Sequence, residues 1–309
     1  MNQIKHIPVL LSEFVNVLKP LDGGIYLDAT FGQGGYTKKI LETSRCRVVG
    51  VDRDRESFGF AKEIKNKYTK EFLFFNKRFS QIKDISTKLG VKFDGIFFDL
   101  GLSNTQIYQS QRGFSFMLDG PLDMRMGCQK NNTITAKKII NEFSQKRLSE
   151  IFFKFGEEKK AIKISKEIIR VRQKEEICST KQLYQIIKTV KHGYQKKNPA
   201  TKVFQSLRIF INDELKELQD ALEATLTILN RSGKIIVVSF HSLEDRIVKN
   251  FFKKRSGISY QNYKHLPPKK TSRNFQLKII TKKPLIACEM EVKKNSQSRS
   301  ARLRAAELI

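Results

Sequence analysis

Residues 27–41 read LDATFGQGGYTKKIL. The apolar run that begins at Ile25 ends here, Gly32, Gly34 and Gly35 follow, and the chain then continues with helical character through Ile40 and Leu41. A strand, a glycine turn and a helix in that order open a parallel α/β sheet. Working outward, strand-length apolar runs recur as VVGVD (48–52), FLFFN (72–76) and IFFDL (96–100), with a helical segment from Arg55 to Tyr68 between two of them. The alternation predicts crossover helices packed on parallel strands.

From about Thr133 to Leu229 the texture changes to successive helices, with Ser144 and Ser179 or Thr180 as N-caps and Gly156 as a stop. The last apolar stripe, Phe204, Leu207, Ile211, Leu215, Leu218 and Leu222, predicts one long helix ending near Asn230 and Gly233. Strand texture returns in KIIVVSF (234–240), and FQLKIIT (275–281) and SARLRAAE (300–307) are candidates for an antiparallel edge. The expected organisation is an α/β domain split by a helical insertion: residues 1–106, an insertion at 107–212 assigned to substrate recognition, and 213–309. Lys253 to Lys270, basic and carrying Pro267-Pro268, reads as a long loop.

Composition bounds the function. With 59 Lys+Arg against 31 Asp+Glu the formal charge is +28 and the pI near 10.0, a surface that gathers an anionic polymer, nucleic acid first, unless it reflects only a lysine-rich residue usage. Cys46, Cys128, Cys178 and Cys288 are far apart, and His6, His192 and His265 are scattered, so neither a disulfide framework nor a metal site is expected. No apolar run is long enough for a membrane span and the N-terminus shows no cleavage signal, which points to the cytoplasm.

The glycine turn implies a nucleotide-like ligand, because without Cβ atoms the backbone bends sharply and approaches closely. Asp52 ends the second strand, where a carboxylate accepts hydrogen bonds from ribose hydroxyls. A dinucleotide fingerprint needs a third glycine, but that slot holds Thr37. S-adenosylmethionine has no phosphate to cradle and still needs a ribose acid, so it suits this turn better than NAD, with Asp28 and Gly34-Gly35 facing its methionine end. Asp99 closes the fourth strand, and in open parallel sheets ligands sit beyond the strands' carboxyl ends. It is either an active-site acid or a cap on the following turn.

The blocks LDATFGQGGYT, VDRD, FDGIFFDLGLS, RGFSFMLDGPLDMRM, NPATKVFQSLRIFINDEL and VSFHSLEDRIVK resemble the bacterial ribosomal RNA small-subunit methyltransferase H family, nearly end to end. That resemblance implies a class I S-adenosylmethionine-dependent methyltransferase fold with a helical insertion. It also implies methylation of N4 of a cytidine in the decoding centre of 16S ribosomal RNA, within a small ribosomal subunit or its precursor. By match, the cofactor contacts fall on Gly34, Gly35, Tyr36, Asp52, Phe79, Asp99 and Gln106. Two departures stand out: Tyr36 replaces the usual histidine, and Leu102-Ser103-Asn104-Thr105-Gln106 replaces V-S-S-P-Q. Phe79 either packs on the adenine or is a core aromatic.

Cytosine's exocyclic amine needs acceptors for its protons, and Asp99 and Ser103 are the candidates. A carbon-directed enzyme would need a cysteine nucleophile, typically after proline, and the sequence has no Pro-Cys. His241, with Glu244, Asp245 and Arg246 beside it, is a further catalytic candidate, against which Ser242 and Asp245 read as a capping box. Asp119, Asp123 and Arg125 belong either to a packed lid or to the substrate pocket. Lys159, Lys160, Arg170, Arg172, Lys196, Lys197 and the 253–270 loop are the expected RNA contacts. A DNA or other RNA amino-methyltransferase and a non-catalytic RNA-binding protein are the rival readings; the first would not need the insertion motif, the second would not need the acids in register.

Overall fold

The structure, a computed structural model, describes residues 8–127, 134–191, 193, 198–257 and 275–309. It divides into two compact units, one built from residues 1–101 with 215–309 and the other from 102–214.

The first unit opens with α1 (Leu11–Leu18) and then alternates as the apolar runs predict: β1 (Ile25–Asp28), α2 (Gly35–Thr43), β2 (Arg47–Asp52), α3 (Ser57–Lys67), β3 (Phe72–Asn76), α4 (Ile82–Leu89) and β4 (Phe93–Asp99). The second unit is helical: α5 (Asn104–Tyr108), α6 (Ala136–Glu142), α7 (Gln145–Gly156), α8 (Ala161–Arg172), α9 (Thr180–Val190) and α10 (Thr201–Asn212). Then α11 (Glu214–Ile228) leads back into the first unit, followed by β5 (Leu229–Ser239), α12 (Ser242–Ser256), β6 (Leu277–Ile279), α13 (Glu289–Lys294) and β7 (Arg302–Leu308). No described helix is long and apolar enough to cross a membrane.

The strands form a seven-stranded sheet in the order β3-β2-β1-β4-β5-β7-β6, parallel except for β7, which runs antiparallel to both β5 and β6. This is the expected doubly wound α/β sheet with its antiparallel edge. The order reverses between β1 and β4, where open sheets of this kind bind ligands. Alternate residues feed opposite faces: Ile96, Phe98, Ile235 and Val237 pack with Leu218 and Leu222 of α11 on one, while Phe97, Ile236 and Val238 pack with Phe14 and Ile40 on the other. Being buried on both faces is what makes IFF an uninterrupted apolar run.

Several helix boundaries follow side-chain capping. Ser144 accepts the Arg147 N–H at 3.3 Å, and Ser179 forms a reciprocal capping box with Gln182. Gly156 is the last residue of α7, but Glu157, with φ 49°, makes the left-handed stop. A Cβ at Gly156 would collide with the Lys202 carbonyl, so this glycine serves the approach of α10 to α7.

The single long helix expected through Leu222 is two helices. Asp213 sits at φ 53° and breaks the run, and the buried Asn212 side chain holds the break by accepting the Met126 N–H at 2.7 Å and donating to the Met124 carbonyl at 2.8 Å. Its apolar stripe is continuous because each half packs on a different core: Phe204 and Leu207 in the helical unit, Leu218 and Leu222 under the sheet. Asn230 and Gly233 lie inside β5, where pairing with β4 shifts register between Phe93 and Gly95.

Candidate active site

Strand register gathers the carboxylates. Asp28 pairs with Gly50 of β2 and Phe97 of β4, so Asp52 and Asp99 each stand two residues beyond its partners, on either side of β1. Beyond β1 the chain stays stitched between them: Ala29 N–H donates to the Phe97 carbonyl at 2.9 Å and Phe31 N–H to the Val51 carbonyl at 2.9 Å. Thr30 Oγ1 accepts the Asp99 N–H at 2.6 Å.

Asp52 accepts Gly32 N–H on Oδ2 at 2.7 Å and Asp54 N–H on Oδ1 at 2.8 Å, tying the glycine turn to the end of β2. The Ser57 side chain also hydrogen-bonds this carboxylate, which keeps acceptor capacity for one further donor. Asp28 is 1% exposed; its Oδ2 accepts the Thr37 hydroxyl at 2.7 Å, while its Oδ1 has no partner. Burial pushes its carboxyl up to about 7 against the Thr37 and Thr30 hydrogen bonds, with the Asp52 charge adding to the rise. Asp99 is partly exposed as a residue, yet its Oδ1 is closed off from solvent and also lacks a partner. Burial, and then the charges of Asp28 and Glu244, hold its carboxyl well above the ordinary range. Asp52 is also raised, mainly by burial.

The turn glycines differ in what they accommodate. A Cβ at Gly34, where φ is 73°, would strike Phe31 and Ile64, and one at Gly35 would strike Pro8; only Gly32, at φ 54°, is open on that side. The paired glycines thus admit the protein's own side chains. Tyr36 is a core residue whose ring packs on Phe14 at 4.7 Å and whose hydroxyl donates to the Val9 carbonyl, which leaves its backbone to serve a ligand. Phe79 is half-buried, edge-on to Phe98 at 6.1 Å.

His241, rather than Ser242, caps α12: its Nδ1 accepts the Glu244 N–H at 3.3 Å, and Glu244 Oε2 accepts the N–H groups of Phe240 at 2.9 Å and His241 at 3.3 Å. Asp245 instead meets Arg304 at 2.6 Å and Arg302 at 3.1 Å on β7. Burial raises its carboxyl, and the two arginines outweigh burial and bring it below the usual range.

In the helical unit, Ser103 caps α5, accepting Gln106 N–H at 3.3 Å and sharing a 2.8 Å hydrogen bond with Thr105; Gln106 Oε1 accepts Ser103 N–H at 3.1 Å. This capping box shapes the turn without the proline that the resemblance leads one to expect. Asp119 accepts Lys181 N–H at 3.1 Å, and Asp123 binds Arg125 in a bidentate pair at 2.8 and 2.6 Å. All three are hydrogen-bonded within the helical unit, Asp119 to the start of α9 and Asp123 to Arg125.

Among the expected RNA contacts, Lys160 donates to the Val190 carbonyl, Arg170 pairs with Glu167 at 2.6 Å and Arg172 donates to the Ile140 carbonyl at 2.7 Å, so each has a structural task. Lys159 is exposed. Lys253 to Ser256, expected in a loop, instead close α12, which caps at Gly257; Lys196, Lys197, residues 258–270, Cys128 and the histidines His6, His192 and His265 lie outside the described residues. Thr30 and Thr37 are the residues that sequence reasoning missed. Thr37 occupied the slot where a dinucleotide fold needs glycine, and a hydroxyl in the first turn of the helix that follows a strand acid was the available signal.

The chain matches the model of the MraW methylase family over residues 3–309. Relatives named "Ribosomal RNA small subunit methyltransferase H" include those of Rickettsia massiliae, 44% identical across 98% of this chain and 98% of the relative, and Neorickettsia sennetsu, 42% identical across 100% and 97%. That of Carboxydothermus hydrogenoformans is 40% identical across 99% of each.

Proposed function

The chain belongs to the MraW methylase family of S-adenosylmethionine-dependent methyltransferases, and from that premise we propose that it methylates N4 of a cytidine in the decoding centre of 16S ribosomal RNA, in the small subunit or its precursor. The observation that carries this reading is the pair of buried, unpartnered carboxylate oxygens, Asp28 Oδ1 and Asp99 Oδ1, at the ends of adjacent strands. Unsatisfied buried acceptors cost stability unless a ligand answers them. A cationic, hydroxyl-bearing nucleoside fits this donor-poor, acid-rich set.

When bound, S-adenosylmethionine supplies an electrophilic methyl group. Asp52 would accept a ribose hydroxyl through its remaining acceptor capacity, Phe79 would pack on the adenine, and the backbone of Gly34, Gly35 and Tyr36 would line the rest of the cofactor. The cytosine amine is a weak nucleophile because its lone pair is delocalised into the ring. Asp99 Oδ1 draws on an N4 proton, restores lone-pair character and takes that proton as the new bond forms. Burial makes the Asp99 carboxylate a stronger base than an exposed one. His241 fixes the turn between β5 and α12 beside Glu244, which orders the neighbourhood of Asp99. The remaining contribution is alignment of two atoms for direct transfer.

Affinity for RNA comes from phosphate neutralisation by Lys159, Lys196, Lys197, Lys253 and Lys254 at the end of α12 and the basic residues that follow as far as Lys270, and selectivity from an unstacked base. The test is to weigh the decoding-centre fragment of 16S ribosomal RNA from a deletion strain and from the same strain carrying Asp99→Asn. One methyl group is missing in both and returns with the wild-type gene; an unchanged fragment in the deletion strain overturns the proposal.

A further inference from the structure

Asp28, Asp52, Asp99 and Glu244 approach one another from β1, β2, β4 and α12, and their charges repel: Asp52 acts on Asp28, and Asp28 and Glu244 act on Asp99. The Tyr36 phenol of α2 faces Asp28 and Asp99 and is itself raised, by burial and then by both acids. The acids are compensated unequally. Asp52 takes two backbone N–H groups, and Glu244 takes two more at the start of α12. Asp28 has the Thr37 hydroxyl on one oxygen and nothing on the other, although it is 1% exposed, and Asp99 Oδ1 is likewise bare.

Two undercompensated carboxyls on adjacent strands titrate as a unit. The methyl donor brings a sulfonium and an ammonium against one carboxylate; the demethylated product keeps only the latter two charges and is neutral. A coupled pair of acids responds to that difference by changing how many protons it holds.

Resting on the cofactor reading above, we propose that the Asp28–Asp99 pair distinguishes methyl donor from demethylated product by proton count, giving up a proton to solvent when the donor binds and holding it when the product does. In balance, the donor cation enters and one proton leaves the pair. After transfer, the S–CH3 bonding electrons stay on sulfur and the proton lost by the acceptor amine replaces the vanished positive charge. Asp28 is the specificity-determining member and Asp99 the catalytic one. The titration of Asp28 near neutrality places the exchange in the working pH range.

Titration calorimetry of the free protein at pH 7, in phosphate and in Tris, counts protons released on binding S-adenosylmethionine and S-adenosylhomocysteine. The expected result is greater release with the donor, together with a donor-to-product affinity ratio that climbs with pH, approaching about tenfold per unit at a full one-proton difference. In Asp28→Asn the difference in proton count disappears and the ratio flattens. Thr37→Val, which leaves both acids in place but removes a hydroxyl that lowers Asp28, moves the release to higher pH. Equal proton counts for the two ligands, with heats of binding intact, overturn the inference while sparing the cofactor assignment; absence of binding by either ligand overturns that assignment and the inference with it.

Discussion

At the residue scale the site turns on which acid is satisfied and which is not. Asp52 is held by backbone donors, whereas Asp99 has a bare oxygen, so a substitution at Asp99 tests chemistry apart from binding. Asp99→Asn keeps the shape and the Thr30 contact to its backbone but removes the proposed proton acceptor. Turnover is expected to fall about 10²–10⁴-fold, with a far smaller change in S-adenosylmethionine affinity by calorimetry; equal losses in both would reassign Asp99 to binding. Tyr36→Phe removes only the hydroxyl that reaches the Val9 carbonyl. It is expected to cost about 1–3 kcal/mol in urea unfolding and to leave cofactor affinity unchanged, since the proposed contact of Tyr36 with the cofactor is through its backbone. The acids were legible from sequence because each ends an apolar run; the partners that leave Asp28 half-satisfied were not, since Thr37 reads locally as a failed glycine.

At the scale of elements, the strands were legible and two helix boundaries were not. β4 falls on its apolar run because a doubly buried strand is apolar at successive positions, and β3 falls on the FLFFN run although it is an edge strand with Leu73 and Asn76 exposed; β5 extends its run toward the N-terminus through the exposed Arg231 and Ser232, which carry no apolar signal. The long helix misled because apolar periodicity cannot show that two halves face different cores. Its break is written in Asn212 and Asp213, residue types that also occur harmlessly on helix surfaces. Asn212→Ala leaves the Met126 N–H and the Met124 carbonyl without their partner. It is expected to destabilise the helical unit by about 1–3 kcal/mol, seen as an earlier proteolytic cut in residues 102–214 than in the sheet. The α12 cap was misplaced by one residue for a related reason: Ser242 and Asp245 have the right spacing, but Asp245 is drawn away to Arg304 and His241 takes the position.

For the whole molecule, charge and buried acids pull in different directions with pH and salt. Asp28, Asp52 and Asp99 titrate higher folded than unfolded, so between about pH 4 and the folded value near 7 for Asp28 the native state holds more protons. Their contribution to stability therefore falls as pH rises through that window. Thermal melts of the cofactor-free protein from pH 5 to 8 are expected to show a decline that is shallower in Asp28→Asn. A charge of +28 makes RNA affinity drop by about 10³-fold or more between 50 and 200 mM salt if at least six phosphates are neutralised, while cofactor affinity stays nearly constant. Filter binding at the two salts checks this.

The pairing of β4 with β5 has a kinetic consequence. Ile96 lies beside Ile235, yet all of residues 102–214 intervene in the chain. The middle of the sheet is thus a non-local contact whose closure entropy is lost before its burial is gained. Refolding from urea should show helical signal in 102–214 ahead of β4–β5 closure, and circular permutants opened inside that segment should reach the native state by a different slow step.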